Sequence, residues 1–253
     1  MRIDRIGGVC VALLVVSSAV AQETSLTRAE VAAIKAKLVT VQQAMGADPS
    51  GYLKESEEFS LPTDFNPAQD GKFWPITSSV SLRYGDRAAK ESAESVEQAN
   101  KDLEQRYSAA LASGDPDAII KLTEEITKIT QQAVSAGMVQ PKEPMHVYVQ
   151  FNMSPYAGID PDAVVFESPG VIALRDADDP SGERGSVTVY LDPVALKATE
   201  TLSKIELKTP EGGVGNKSGV FNIQISLNGA IADAEAWAKS FDTAAMLSVI
   251  DSQ

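Results

Sequence analysis

Two stretches of heptad spacing, joined by only a few residues, constrain this chain more than any other feature. After Gly85, Asp86 can cap a helix whose seam reads Ala89, Ala93, Val96, Asn100, Leu103, Tyr107 and Ala110, in alternating fours and threes. Ser113-Gly114 ends it, and Asp115-Pro116 supplies a new cap followed by proline at the first helical position. The next seam runs through Ile119, Leu122, Ile126, Ile129, Ala133 and Ala136 up to Gly137. So short a joint forces the helices antiparallel, and the Ala-rich stripe of one lets the Ile-rich stripe of the other approach closely. At a rise of about 1.5 Å per residue, arms of about 25 residues project roughly 38 Å and return the chain to where it left. The expected hairpin covers residues 86–137. Each seam holds only about three heptads, which supports local packing and establishes neither a long supercoil nor a dimer. Asn100 is a polar residue in its seam, able to fix register or to sit at a wetter point.

From Pro141 onward the period changes to two. Met145, Val147, Val149 and Phe151 alternate with His146, Tyr148, Gln150 and Asn152, the pattern of a strand with one buried face. Val187, Val189 and Leu191 alternate with Ser186, Thr188 and Tyr190; Phe221, Ile223, Ile225 and Leu227 alternate with Asn222, Gln224 and Ser226. These predict half-buried antiparallel strands. Shorter strands are expected over residues 164–167, 171–175 and 204–208, and a helical turn over 192–202. Before the hairpin, residues 79–84 alternate in the same way, so the strand entering the hairpin and the strand leaving it can share one sheet. The competing organisation is a helix-rich region over residues 22–140 followed by a β-rich region over residues 141–253.

An N-terminal helix is signalled by Thr27 and Glu30 as a capping box, with Val31, Ile34, Leu38, Val41 and Met45 in helical spacing before Gly46. The chain closes with two helical segments, residues 230–239 and 243–250, the second capped by Asp242. The fold class expected is α+β: an antiparallel sheet with a projecting antiparallel helical hairpin, an N-terminal helix and C-terminal helices.

The first 21 residues read as a secretory signal peptide. Arg2 and Arg5 precede an apolar run over residues 6–16, and Ala19-Val20-Ala21 gives the small residues favoured before cleavage. The run is too short to span a bilayer, which takes about 20 residues. Export to the periplasm or the medium is expected, with the mature chain starting at Gln22 and no stable membrane insertion after cleavage. Cys10, the single cysteine, leaves with the leader, so the exported chain has no thiol and no disulfide. A secreted domain without disulfides points to a bacterial envelope or secreted protein.

Cleavage also removes Arg2, Asp4 and Arg5, taking the net charge from −13 to −14. Such an acidic chain lacks the Lys and Arg clusters that nucleic acid and anionic lipid require. A single histidine, His146, and no mature cysteine exclude thiol catalysis and most zinc sites. There is no Gly-x-Ser-x-Gly elbow and no Ser-x-x-Lys pair. The glycine-rich residues 212–219 lead into a strand, so no helix N-terminus stands ready for a phosphate.

Three features remain as candidate sites. His146, Tyr148 and Tyr190 lie on the polar sides of their strands and can line a ligand surface; a solvated strand face is the alternative. Asp176, Asp178 and Glu183 form the one compact set of hard oxygen ligands and can converge on Ca²⁺, although without EF-hand spacing, and the same stretch is a good turn sequence. Trp74 and Trp237 can form a sugar platform, or Trp237 can pack in a core. The function expected is a non-enzymatic binding protein that uses the hairpin, toward a protein partner, or the polar strand face. The alternatives are a carboxylate-based hydrolase of envelope polymers and a small-ligand-binding protein.

Overall fold

The computed structural model describes residues 24–114, 116–137, 141–178 and 181–251. The leader expected over residues 1–21, the Asp115 cap and the side chains of Ala133 and Ala136 lie outside the described residues.

The fold is α+β. Thr27 opens α1 (Arg28–Ala44) through a complete capping box: its Oγ1 accepts from the Glu30 amide, and its own amide donates to Glu30 Oε2 at 2.7 Å. Then come β1 (Tyr52–Ser60), β2 (Ser78–Asp86), the hairpin helices α2 (Arg87–Ser113) and α3 (Pro116–Gly137), and β3 (Met145–Phe151). The short strands β4 (Tyr156–Gly158) and β5 (Val164–Ser168) follow, then β6 (Val171–Ala177), β7 (Arg184–Leu191) and β8 (Lys204–Glu206). The described chain closes with β9 (Ile223–Ala230), α4 (Ile231–Ala238) and α5 (Thr243–Leu247).

Seven strands make one antiparallel sheet in the order β1-β2-β3-β9-β7-β6-β5, and β4 pairs with β8 in a separate ribbon. β2 pairs with β3, Ser78 opposite Phe151 and Tyr84 opposite Met145, so the hairpin is inserted between neighbouring strands. Every second residue of the central strands points toward the helices: Val80, Leu82, Val147, Val149, Ile225 and Leu227 are fully buried, under Leu38 and Val41 of α1, Trp237 of α4 and Met246 of α5. Burial of each such side chain stabilises the fold by roughly 1.5–3 kcal/mol. Trp237 donates its indole N–H to the Ala47 carbonyl at 2.9 Å and meets Tyr84 and Phe241 edge-on. It is therefore a core residue, and no platform with the exposed Trp74 exists.

The hairpin is rooted at one end only. Asp86 accepts the amides of Ala88 and Ala89 as the helix cap, and its second oxygen accepts the Lys142 amide at 2.7 Å. Arg87 donates to the Tyr52 carbonyl at 2.8 Å. Lys142 Nζ bonds Asp233 at 3.0 Å, and Asp233 also accepts from the Tyr52 hydroxyl. Away from this root, Leu103, Ala110 and Leu122 form a small core of their own.

Several details differ from the sequence reading. In α2 the inward stripe keeps the expected Val96, Leu103 and Ala110, but a small rotation turns Ser92 and Ala99 inward while Ala93 and Asn100 are exposed. The rotation sets Arg106 beside α3, where its guanidinium forks onto Glu125 at 2.8 and 3.2 Å. β1 was not expected, because its sequence YLKESEEFS carries four charges and suits only the edge of a sheet. The turn expected over residues 192–202 is helical only as a 3-10 turn at Thr199–Thr201. The last strand begins at Ile223 rather than Phe221, since the backbone there is taken by the paired asparagines Asn152 and Asn222.

Candidate ligand-binding face

The side chains that alternate away from the helices form the second face of the sheet. Register sets them in three rows. Arg83, His146, Asn228, Ser186 and Asp176 stand side by side across β2, β3, β9, β7 and β6. The next row is Ser81, Tyr148, Ser226 and Thr188, and the third is Ser79, Gln150, Gln224 and Tyr190.

This face is covered at one end. The β4–β8 ribbon and the segment before it bring Leu196, Ile205 and Leu207 onto Ile172 and Tyr190. Over β2, β3 and β9 the rows are uncovered. Tyr148 is 42% exposed, flanked in register by Ser81 and Ser226, both too small to screen its ring. Arg83, at the β1 side, is engaged by Glu55 at 3.0 Å.

Where the ribbon overhangs the sheet, a cleft of about 650 Å³ opens, lined among others by Asp160, Asp162, Asp176, Ser186, Thr188 and Tyr190. Arg175 also borders it, held by the Asp162 carbonyl at 2.8 Å and by Glu235. Burial pushes the Tyr190 phenol above its usual pKa, Asp176 adds to the shift, and a hydrogen bond with Thr188 opposes it. Tyr190 therefore stays a neutral donor at physiological pH. Thr188 and Ser226 hydroxyls lie 3.5 Å apart, and Gln224 Nε2 reaches Ser226 at 3.5 Å, so hydroxyl and amide groups run from the cleft wall onto the open rows.

A second, smaller cleft of about 200 Å³ is lined by Glu143, His146, Asp178, Arg184 and Asn228, with Glu143 and Arg184 ion-paired. His146 and Tyr148 thus share β3, and Tyr190 lies on the same face across β9. Neither of these two clefts gathers Asp176, Asp178 and Glu183 together. Asp176 borders the large cleft and Asp178 the small one, while the Glu183 amide turns back to Ser181. Asp179 and Pro180 of that loop lie outside the described residues, and among the described residues no group of three carboxylate, imidazole or thiol side chains is gathered for a metal ion.

Residues not singled out from the sequence complete the face: Gln150, Gln224, Ser226 and Asn228 on the open rows, Asp160 and Asp162 at the cleft. Alternation marked Gln224 and Ser226 as outward-facing, but strand order alone brings them beside Tyr148. No helix among the described residues is long and apolar enough to cross a membrane. No protein-family model, curated protein or solved structure matches the chain.

Proposed function

We propose that the chain is an exported bacterial envelope or secreted protein that acts by binding, holding a macromolecule against the uncovered face of its sheet. The observation that carries this reading is the chemistry of that face. In a chain with 23% charged residues, the central positions Ser81, Tyr148, Gln150, Gln224 and Ser226 are all neutral hydrogen-bonding groups. An ordinary solvated face in so acidic a chain would carry carboxylates and lysines, as β1 does.

A photo-reactive residue placed at Ser226 tests it in envelope extracts. Adducts are expected at that position and not at a control position on exposed β1. Equal labelling at both, or none, overturns the reading.

A carboxylate-based hydrolase is the second reading, favoured by Asp160, Asp162 and Asp176 around one cleft. Cleavage of an envelope polymer that is lost in Asp176→Asn would select it. The hairpin offers a separate surface for a protein partner, since Tyr107, Leu111 and Ile120 are exposed there.

A further inference from the structure

We infer that the occupant of the sheet face is an extended, neutral glycan chain, an inference that rests on the binding reading above. Charge is the first discriminator. Anionic polymers need cations, yet Arg83 is the single cation in the three rows and Glu55 already engages it. A strongly basic partner would be matched by carboxylates across the face, and these stand only at its margins: Asp176 at the large cleft, Glu143 and Asp178 at the small one, and Glu55 and Glu58 on β1.

Geometry is the second. A peptide in extended form gains its affinity by pairing with a sheet edge, where backbone donors and acceptors are free; a sheet face offers it none. The face instead presents side-chain hydroxyls and amides in rows. Each of these can donate and accept, the same dual capacity as a sugar hydroxyl. Neighbouring strands repeat the pattern at about 4.8 Å, so the four positions from Ser81 to Thr188 extend over roughly 14 Å. That row suits several sugar units laid flat across the strands.

Tyr148 supplies the apolar element. Its ring rises between Ser81 and Ser226 with 42% of the residue exposed, leaving an aromatic face for the C–H side of a sugar ring while the hydroxyl remains wet. At the far end, the cleft places Asp176 beside Ser186 and Thr188. A carboxylate accepts from two adjacent hydroxyls at once, and such charge-assisted bonds are the strong ones. The chain end or a bent unit enters there, under the ribbon.

Calorimetric titration of the full chain with cellohexaose and chitohexaose, beside an oligogalacturonate of equal length, tests the inference. Saturable binding of at least one neutral oligosaccharide and none of the anionic one is expected. Tyr148→Ala should weaken it about tenfold or more, and Tyr148→Phe, which keeps the ring, should bind near the original level; both variants lie on the exposed face and should melt with the original protein. Binding unaffected by Tyr148→Ala overturns the inference, as does no binding of either neutral probe. If the glycans fail while the Ser226 cross-linker still captures a protein at this face, the glycan class is wrong and the binding face stands. If both fail, both readings fall.

Discussion

Asp86 and Lys142 are 56 residues apart in sequence, yet the carboxylate of the first accepts the amide of the second at 2.7 Å. The same carboxylate caps α2, so one side chain both starts the hairpin and receives the chain on its return. The Lys142 amide, followed by the Ala89 and Ala88 amides, holds the Asp86 pKa below its usual value. A carboxylate with a depressed folded-state pKa contributes stability above its unfolded pKa, about 4, and the contribution is lost as pH falls through the folded value. The protection of amides at the hairpin root, taken relative to their intrinsic exchange rate at each pH, should therefore fall below about pH 4. In Asp86→Ala that protection should already be low at neutral pH, with little further change on acidification.

Asn152 sits at φ 58° and is 3% exposed. Its amide group donates to the Ile76 and Gly219 carbonyls at 2.8 Å each and accepts from Phe221 N at 2.8 Å. Asn152→Ala leaves three backbone groups without this partner and puts in the left-handed region a residue that tolerates it less well than asparagine. Denaturant unfolding should show a loss of about 2–4 kcal/mol. Asn152→Gly relieves the backbone but not the orphaned groups, so most of the loss should persist.

Ser78 Oγ is buried among the described residues without a hydrogen-bond partner. Removing an unsatisfied hydroxyl from an apolar layer stabilises or costs nothing. Ser78→Ala should unfold at the same denaturant concentration or gain up to about 1 kcal/mol.

The hairpin's own core consists of Leu103, Ala110 and Leu122, with Ile119 and Ile129 beside them. Leu103→Ala removes its centre and should cost about 2–5 kcal/mol of local stability. Helical circular dichroism should fall at a lower temperature than the near-ultraviolet signal of Trp237, which lies in the main core.

Calcium offers a direct check on the acidic loop. With Asp176 and Asp178 bordering separate clefts, about 5 mM calcium should leave the thermal midpoint where it was, whereas an extracellular-type site would raise it.

Local signals were readable where one residue decides the geometry: the Thr27–Glu30 box, the Asp86 and Asp242 caps, the joint at Pro116 and the alternation of β3, β7 and β9. The α+β class followed from the change of period. β1 escaped because Lys54, Glu55, Glu57 and Glu58 hide the alternation of an edge strand. β4 escaped because a three-residue strand carries no period, whereas its ribbon partner β8 lies within the strand expected over residues 204–208. His146, Tyr148 and Tyr190 were legible as outward-facing, but that β9 stands between β3 and β7 is a long-range fact. With it came the neutral character of the face, which belongs to four strands jointly and to no one segment.

The two outermost strand pairs share a device. β1 shifts register against β2 between Lys54 and Ser56, and β5 shifts against β6 between Val164 and Phe166. A shifted, glutamate-bearing margin is a poor template for another strand. Both margins of the sheet therefore resist the edge-to-edge pairing through which strands of separate chains zip into fibrils, a protection built from backbone register and charge alone.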